Sequence, residues 1–525
     1  MKVLITDTLS DAGKEILKAA GHEVLDGTGL SGQELLDAVA DSHALIVRSG
    51  TQVTAEVIEA GRELTVIGRA GVGVDNIDLD AATRQGVVVM NTPEGNTISA
   101  AELTMAMILA LSRHIPQAQM SLVQGKWDRK AFRGTELRGK TLGIIGVGRI
   151  GRAVARRAAA FGMKVVGYDP FIASAASQTL DIEMTEFDEL IRTADYISVH
   201  TPLTDETRGM LGADEIAKMK DGVRLVNCAR GGIVDEAALV EGLTSGKVAG
   251  CALDVYAAEP PTESPLLGLE NVVCTPHLGA LTREAQQSVA EQVATQVCEV
   301  LDGKPARNAV NAPMIEPETL ANVQPYAELA ARLGKAVVQL WDKPIEEIRV
   351  TYAGEFAENP LEFVTASLLT GILSMLMEGP VNQVNAPIIA RERGVRVSEV
   401  TTPQSKDFSN LLTVEVGDGP EALSISGAFF GINDPRIVRI NAYHVDVVPD
   451  GYIIVCSNKD KPGVISYVST ILAEHEVNIA NMTVGRDVRG GTAVTVINVD
   501  DALSDDVLAA IKSSPIIFDA KLIRL

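Results

Sequence analysis

Short apolar runs alternate with amphipathic stretches through the first half of the chain. Lys2–Thr6, Ala44–Arg48 and Thr65–Arg69 are apolar runs that end in a polar or charged residue, and Ala12–Ala20 has the spacing of a helix. A strand buried on both faces is apolar at nearly every position, whereas a covering helix is apolar on one side only. Strands and helices in alternation therefore predict βαβ units and a parallel sheet.

A second alternating series begins after Lys140. A long apolar helix over Glu94–Arg113 precedes it, and a polar helix from Thr282 to about Gly303 follows it. The series predicts a doubly wound sheet of about six strands, with short helices between them. The predicted strands are Thr141–Val147, Lys164–Asp169, Ala194–His200, Val223–Asn227, Gly250–Val255 and Val272–Thr275.

The alternation breaks down in the last third of the chain. Residues 304–317 hold three prolines and are predicted to be a linker. Beyond it, helices and strands are mixed without a βαβ pattern, which predicts an α+β region. The segment Tyr452–Leu525 has the order strand, helix, strand, strand, helix, strand, which is typical of a ferredoxin-like unit.

Length and charge narrow the class of protein. At 525 residues, a prior of about 150 residues per domain predicts three to four domains. The net charge of −23 disfavours binding to nucleic acid or to an anionic membrane, because the overall field repels phosphate. The apolar run at the N-terminus is too short for the core of a signal peptide, and no uninterrupted apolar stretch is long enough for a transmembrane helix, so we expect a cytoplasmic protein.

The five cysteines have no CxxC spacing and their number is odd. This argues against a disulfide framework and against a zinc site, so we expect reduced thiols and no metal.

A GxGxxG turn lies between a predicted strand and a predicted helix. Gly146 permits the tight turn, Gly148 lets the backbone approach a pyrophosphate, and Gly151 lets the helix pack on the strand. The helix N-terminus then offers N–H groups and a positive dipole to the phosphates. The next strand ends at Asp169, whose carboxylate would bind the ribose hydroxyls and repel a 2′-phosphate. The motif therefore predicts NAD rather than NADP.

Three further side chains follow predicted strands of the same sheet. Arg230, Glu259 and His277 each lie just after a strand, at the edge where ligands bind in open α/β sheets. A histidine can take the proton of a secondary alcohol and return it in the reverse direction. A carboxylate such as Glu259 would orient the ring, and Arg230 could hold a substrate carboxylate bidentately. These residues predict oxidation of a 2-hydroxy acid by hydride transfer to NAD.

The order of these motifs resembles that of a known family. The GVGRIG turn with Asp169, then CARGGIVDE, DVYAAEP and TPHLGA resemble the D-isomer-specific 2-hydroxyacid dehydrogenases. The resemblance covers the whole chain, and it implies that Arg230, Glu259 and His277 are catalytic. It also implies contacts to NAD from Gly146, Gly148, Arg149, Ile150, Gly151, Asp169, Thr201, Cys228, Ala229, Arg230, Asp254, His277, Leu278, Gly279 and Ala280.

The resemblance also implies the fold. Members of the family insert a Rossmann-type doubly wound parallel sheet into a flavodoxin-like substrate domain, and long members add an α+β intervening domain and a ferredoxin-like ACT domain. Applied to this chain, the substrate domain takes 1–97 and, with a linker, 282–317. The NAD-binding domain takes 98–281, the intervening domain 318–450 and the ACT domain 451–525.

Basic residues indicate the substrate. GRAGVGVDNID, which begins at Gly68, and GTEL, which begins at Gly134, resemble the long members that oxidise 3-phospho-D-glycerate to 3-phosphohydroxypyruvate in the first step of L-serine biosynthesis. By this resemblance Arg48, Arg69 and Gly71 would hold the substrate, and Arg129 would reach in from a neighbouring subunit of a homotetramer. The alternative is that these are solvated surface arginines.

The ACT-like segment indicates regulation. The resemblance implies that L-serine binds to Asp460, Pro462, Gly463 and Asn478 and inhibits as the end product. The alternative is an ACT domain used only for assembly. Two other functions also stay open. One is a glyoxylate or hydroxypyruvate reductase, or another D-2-hydroxyacid dehydrogenase, of the same family. The other is a non-enzymatic NAD sensor like the C-terminal-binding corepressors.

Overall fold

The computed structural model describes residues 1–172, 182–313, 317–355, 361–403, 407–431 and 433–525. The predicted linker over 304–317 is described only in part, because 314–316 lie outside these ranges. The described residues form sheets of five, seven, six and four strands. We call the units built on these sheets the first, second, third and fourth unit, in chain order.

The first unit is a parallel sheet with helices on both faces. Its strand order is β2-β1-β3-β4-β5, the flavodoxin-like order that the resemblance implies. All four residues of the third strand are buried, which explains its uninterrupted apolar sequence. The strands are β1 (Lys2–Ile5), β2 (Glu23–Asp26), β3 (Ala44–Val47), β4 (Val66–Arg69) and β5 (Val88–Met90), and the helices are α1 (Asp11–Ala19), α2 (Gly32–Val39), α3 (Ala55–Ala60) and α4 (Leu79–Gln85).

The second unit is a doubly wound parallel sheet. Its strands are β6 (Thr141–Ile145), β7 (Lys164–Tyr168), β8 (Glu183–Met184), β9 (Tyr196–Val199), β10 (Val223–Asn227), β11 (Val248–Leu253) and β12 (Val272–Cys274), and its helices are α5 (Thr97–Arg113), α6 (Ile115–Val123), α7 (Arg149–Ala160), α8 (Phe187–Thr193), α9 (Ala213–Lys218) and α10 (Glu236–Ser245). The order β12-β11-β10-β9-β6-β7-β8 reverses between β6 and β9. The sheet has seven strands rather than about six, because β8 spans two residues and is too short to show a pattern.

A long helix returns the chain to the first unit. The chain leaves the first sheet after β5 and comes back with α11 (Arg283–Leu301), which packs on the first sheet. A Cβ on Gly68 would lie 2.6 Å from Val293 and 2.9 Å from Val297 of this helix. Glycine in β4 therefore permits the close approach of α11. The second unit is thus inserted in the first.

The third unit mixes helices with a largely antiparallel sheet of order β14-β13-β15-β16-β17-β18. The sequence patterns missed three of its strands. β14 has no buried residue and β17 begins with a proline, so neither alternates as a half-buried strand does. Its elements are α12 (Pro317–Leu340), β13 (Glu347–Gly354), α13 (Glu362–Ser374), α14 (Ala386–Glu392), β14 (Arg396–Thr402), β15 (Asn410–Val416), β16 (Leu423–Phe429), β17 (Pro435–Ile440) and β18 (Tyr443–Val447).

The fourth unit has the predicted ferredoxin-like order. It runs β19 (Tyr452–Lys459), α15 (Val464–Glu474), β20 (Ile479–Arg486), β21 (Thr492–Val499), α16 (Asp505–Lys512) and β22 (Ile517–Arg524). The sheet order is β20-β21-β19-β22, and all pairs are antiparallel. Ile453, Val494, Val496 and Ile523 are buried in one apolar cluster with residues of the third unit. One face of this sheet is therefore covered by the third unit.

Candidate active site

The glycine-rich turn lies where the second sheet reverses its order. Gly146 has φ +92°, and a Cβ there would lie 2.8 Å from the carbonyl oxygen of His200. A Cβ on Gly151 would lie 2.2 Å from the carbonyl oxygen of Gly146. Gly148 precedes α7 as its N-cap and would meet nothing within 4 Å. Two glycines therefore let the chain pack, and the third leaves open space at a helix N-terminus, where a phosphate binds.

Asp169 follows β7 and faces the same turn. Its Oδ2 accepts a hydrogen bond from the backbone N–H of Val147 at 3.0 Å, and its Oδ1 accepts one from Phe171 at 3.0 Å. Nearby, the Oγ1 of Thr201 is buried and has no hydrogen-bond partner among the described residues. A buried hydroxyl without a partner is expected where a polar ligand completes the site. The residues present thus fit a bound dinucleotide.

The other predicted cofactor contacts surround this turn. The guanidinium of Arg149 lies 3.5 Å from the carboxylate of Glu94, and both side chains are exposed. Ile150 packs against the apolar cluster under the turn, as does Cys228. Burial raises the pKa of the Cys228 thiol to about 12, so the thiol is neutral at physiological pH.

His277 and Glu259 form a direct pair at the end of the sheet. The Nδ1 of His277 lies 2.7 Å from Oε2 of Glu259, and both side chains are partly exposed, at 43% and 38%. The other carboxylate oxygen, Oε1, accepts the backbone N–H of Tyr256 at 3.1 Å. The carboxylate is therefore oriented by the backbone and in turn orients the ring. With Nδ1 engaged, Nε2 is the nitrogen left to exchange a proton with a ligand.

Asp254 holds the loop that carries His277. The residue is 1% exposed, and its Oδ1 accepts hydrogen bonds from the Thr275 hydroxyl at 2.6 Å and the Leu278 backbone N–H at 2.7 Å. Its Oδ2 accepts the Gly279 N–H at 2.9 Å. The backbone of His277 has φ +56°, a conformation that a non-glycine residue adopts only where its surroundings hold it. Asp254 therefore fixes the segment from His277 to Gly279. The carbonyl of Ala280, next in the chain, accepts from Gln286 at 2.9 Å.

Arg230 lies at the end of β10 and reaches the first unit. Its Nε donates to Oδ2 of Asp75 at 2.9 Å, and its Nη1 donates to the carbonyl of Ala229 at 2.7 Å. Asn227 steadies the same turn by donating to the Arg230 carbonyl at 2.8 Å and accepting from the Ala229 N–H. The sequence patterns did not single out Asp75, although it lies in the GRAGVGVDNID segment that supports the family resemblance.

Arg48 and Arg69 lie in the first unit beside this guanidinium. Burial, together with the neighbouring positive charges of Arg230 and Arg48, lowers the pKa of Arg69 to about 10. Arg69 remains charged at neutral pH, so three cations lie close together here. The Nε atoms of Arg48 and Arg69 are buried without a hydrogen-bond partner among the described residues. Such a group is suited to an anion with more than one negative charge.

Gly71 and Arg129 are the remaining predicted substrate contacts. Gly71 has φ +153°, and a Cβ there would lie 1.5 Å from Nη1 of Arg69, so only glycine leaves room for that side chain. Arg129, by contrast, is exposed in the segment after α6, and no described contact joins it to the arginine group. The structure therefore brings Arg48, Arg69 and Arg230 together and leaves Arg129 outside.

The predicted effector residues lie in the fourth unit. Oδ2 of Asp460 accepts the Gly490 backbone N–H at 2.8 Å and lies 3.4 Å from the Arg486 guanidinium. Pro462 precedes Gly463, which has φ +97° and is the N-cap of α15. Asn478 donates to Asp500 at 2.7 Å, just before β20. These contacts tie the loops to the sheet around them.

The described residues contain no group of three or more histidine, cysteine or acidic side chains placed to hold a metal ion. None of their helices is by itself long and apolar enough to cross a membrane, although the bent pair α5 and α6 together has the length and composition of a span.

Family models match three parts of the chain. The D-isomer specific 2-hydroxyacid dehydrogenase NAD binding domain matches residues 105–279. The D-3-phosphoglycerate dehydrogenase intervening domain matches 322–441, and the ACT domain matches 452–515.

Solved structures resemble the first two units. A glyoxylate reductase from Paecilomyes thermophila is 31% identical with a TM-score of 0.55, over 59% of this chain and 98% of that one. A formate dehydrogenase from Staphylococcus aureus in complex with NAD is 31% identical with a TM-score of 0.54, over 60% of this chain and 100% of that one. The Rossmann-type fold is confirmed.

Curated relatives match over the full length. D-3-phosphoglycerate dehydrogenase of Methanocaldococcus jannaschii is 44% identical, over 100% of both chains. The enzyme of the same name from Bacillus subtilis is 42% identical over 100% of this chain and 99% of that one, and that of Mycobacterium tuberculosis is 41% identical over 98% and 97%. The chain therefore belongs to the D-3-phosphoglycerate dehydrogenase family, within the NAD-dependent D-isomer specific 2-hydroxyacid dehydrogenases.

Proposed function

We propose that the chain oxidises 3-phospho-D-glycerate to 3-phosphohydroxypyruvate with NAD, the first step of L-serine biosynthesis. The observations that support this most directly are the histidine–carboxylate pair of His277 and Glu259 and the group of three arginines. A substrate with a carboxylate and a phosphate needs several cations, whereas an unphosphorylated 2-hydroxy acid needs only one. The full-length relatives named D-3-phosphoglycerate dehydrogenase support the same substrate.

Each of these side chains has a defined task in the reaction. NAD, when bound, accepts the hydride from C2 of the substrate. His277 takes the proton of the C2 hydroxyl on Nε2, and Glu259 stabilises the imidazolium that results. Arg230 holds the substrate carboxylate, while Arg48 and Arg69 hold the phosphate side. The alcohol thus loses one hydride and one proton and becomes a ketone, and the reverse reaction returns both.

Turnover assays test this proposal. Purified protein with 3-phosphoglycerate and NAD should turn over much faster than with glyoxylate and NADH. The reverse ranking would indicate a glyoxylate or hydroxypyruvate reductase, and no turnover of either pair would favour an NAD sensor. Arg69→Ala should raise KM for 3-phosphoglycerate at least about 10-fold and leave KM for NAD nearly unchanged, since one charge-assisted bond is worth about 1.5–3 kcal/mol. Arg62→Ala, at an exposed site in the same unit, is the control.

The fourth unit supports end-product regulation by L-serine. Its match to the ACT domain and its backbone turn at Gly463 support an amino-acid site at the start of α15. Turnover should fall at millimolar L-serine and should not change with D-serine. Asn478→Ala should lose the response and keep the basal rate. An unchanged rate at every L-serine concentration would leave the ACT domain with a role in assembly only.

We propose further that the protein is a homotetramer of the cytoplasm, in which Arg129 contributes to the site of a neighbouring subunit. Met120, Val123 and Trp127 are 58%, 76% and 78% exposed beside Arg129, and large exposed apolar groups favour a protein interface. Native mass measurement tests the assembly. Trp127→Asp should yield smaller species with reduced turnover, whereas a wild-type mass for this variant would exclude the surface from assembly.

A further inference from the structure

An ion pair between Asp75 and Arg230 joins the first unit to the second. Asp75 lies in the loop after β4 of the first unit, and Arg230 follows β10 of the second. Their side chains meet at 2.9 Å between Oδ2 and Nε, although the residues are 155 positions apart. The side chain of Arg230 is 26% exposed and that of Asp75 is 57% exposed, so the pair is open to solvent rather than buried in a core.

The guanidinium of Arg230 is held at two of its three nitrogens. Asp75 accepts from Nε, and the carbonyl of Ala229 accepts from Nη1 at 2.7 Å. Because the guanidinium is planar, two such bonds fix both its position and its plane. Nη2 makes no hydrogen bond within the described chain and is left for a ligand.

The loop that carries Asp75 is itself tightly placed. A Cβ on Gly73 would lie 1.8 Å from Nη2 of Arg230, so the backbone passes directly against the guanidinium. Asn76, the next residue after Asp75, donates to the carbonyls of Arg48 and Thr51 at 2.7 and 2.6 Å. The carboxylate is therefore presented by a backbone that cannot shift without moving the arginine group.

Asp75 also offsets the mutual repulsion of the arginines. The positive charges of Arg230 and Arg48 lower the pKa of Arg69, and the negative charges of Asp75 and Asp7 act in the opposite direction. Asp7 bonds to the backbone N–H of Arg48 at 2.6 Å. Asp75 is thus the acid that contacts the guanidinium assigned to the substrate carboxylate.

We propose that Asp75 is a positioning residue for the reaction. It holds Nε of Arg230 so that the remaining edge of the guanidinium meets the substrate carboxylate in a fixed orientation. The inference rests on the proposed role of Arg230 as the carboxylate-binding residue. The opposite possibility is that Asp75 competes with the substrate for Arg230, and the two make opposite predictions.

Steady-state kinetics of the full-length protein distinguish them. Asp75→Ala should lower kcat/KM for the hydroxy acid about 10- to 100-fold and leave KM for NAD within about 2-fold. Asp75→Asn keeps an acceptor oxygen without the charge, so its kcat/KM for the hydroxy acid should lie between those of Asp75→Ala and wild type. Asp80→Asn removes an exposed charge at the start of α4 and should match wild type. A lower KM for the hydroxy acid in Asp75→Ala would overturn the proposal, because it indicates competition.

A double-variant comparison separates positioning from a structural role. Lysine has no Nε–H of the arginine type. In a protein that already carries Arg230→Lys, Asp75→Ala should therefore lower kcat/KM for the hydroxy acid only slightly further. The proposal would be overturned if the two substitutions lowered kcat/KM for the hydroxy acid additively. It would also be overturned if KM for NAD rose by the same factor. Wild-type turnover of another 2-hydroxy acid, but not of 3-phosphoglycerate, would refute the proposed substrate and still allow the same ratios to be measured.

Binding provides a readout that does not need turnover. Tartronate, a small hydroxy-diacid, can be titrated into the NADH-loaded protein and followed by the fluorescence of NADH. Its Kd should rise about 10-fold in Asp75→Ala and stay unchanged in Asp80→Asn. An unchanged Kd in Asp75→Ala would overturn the proposal.

Discussion

Carboxylates hold basic residues of the candidate active site in place. Glu259 orients His277, Asp75 holds Arg230, and Asp7 binds the backbone of Arg48. A charge-assisted hydrogen bond is stronger than a neutral one, and it keeps a side chain in one rotamer. These carboxylates therefore preorganise the site before a ligand binds, which is where much of the catalytic advantage of an enzyme arises.

Glu259→Gln tests this at His277, the residue proposed to take the proton. The amide cannot stabilise a charged imidazolium as the carboxylate does, so kcat should fall about 100-fold while KM for NAD stays nearly constant. Stopped-flow and steady-state assays at pH 8 measure both. Glu263→Gln, an exposed acid in the same loop, is the control. A kcat within a factor of three of wild type would remove Glu259 from the catalytic pair.

The lowered pKa of His200 makes the stability of the folded chain depend on pH. Burial lowers the pKa of this histidine from 6.5 to about 4, and its Nε2 lies 2.9 Å from the Ser198 hydroxyl. The unfolded chain then binds a proton between pH 6.5 and 4 that the folded chain does not, so stability falls as the pH drops through this window. The loss approaches roughly 3 kcal/mol at the acid end. The thermal midpoint should fall further between pH 7.5 and pH 5 in wild type than in His200→Gln. An equal fall in both proteins would contradict the assignment.

At the level of elements, the turn from β6 to α7 contains one glycine needed for packing and another that leaves space for a ligand. Gly151 allows the helix to approach the strand, because a Cβ there would lie 2.2 Å from a backbone oxygen. Gly148 meets nothing within 4 Å and begins the helix. Two glycines of one motif thus serve different purposes, a distinction that spacing alone does not make.

Alanine at each glycine makes the distinction measurable. Gly151→Ala should lower the free energy of unfolding by about 1–3 kcal/mol, because the backbone must shift to admit the methyl group. Gly148→Ala should keep the thermal midpoint and weaken NADH binding about 10-fold or more, because the methyl group enters the space for the pyrophosphate. Thermal unfolding and NADH titration check the two outcomes. Equal loss of stability in both variants would contradict this division.

For the whole molecule, contacts between the first two units and the third are few and polar among the described residues. The third unit touches the first through Arg84 and Glu392 at 3.4 Å and through Asn382, which donates to the Gly86 carbonyl at 2.7 Å. In contrast, the third and fourth units share an apolar cluster. Exposed ion pairs contribute about 0–1 kcal/mol each, so the first two units depend little on the rest for stability.

A chain shortened to residues 1–313 tests this division. It keeps Asn311, which bonds to the backbone of Val87 and Val89 at 2.9 and 2.8 Å. We expect turnover within about 3-fold of the full chain and no response to L-serine, since the exposed polar contacts contribute little. Solved relatives that align with 60% of this chain over their whole length are consistent with it. An insoluble or inactive product would show that the third unit stabilises the first two.

The sequence by itself determined the parallel sheets, the glycine-rich turn and the residue types of the reaction, because buried strands and motif spacing are local properties. It missed β14, β17 and β18, and the first two do not show the alternation of a half-buried strand. Only the tertiary structure decided which charges meet. The pairing of Asp75 with Arg230 joins positions 155 residues apart, and such a contact exists only once the second unit is inserted in the first. The tertiary structure likewise separated Arg129 from the arginine group, because contact depends on where the segment after α6 lies and not on its charge.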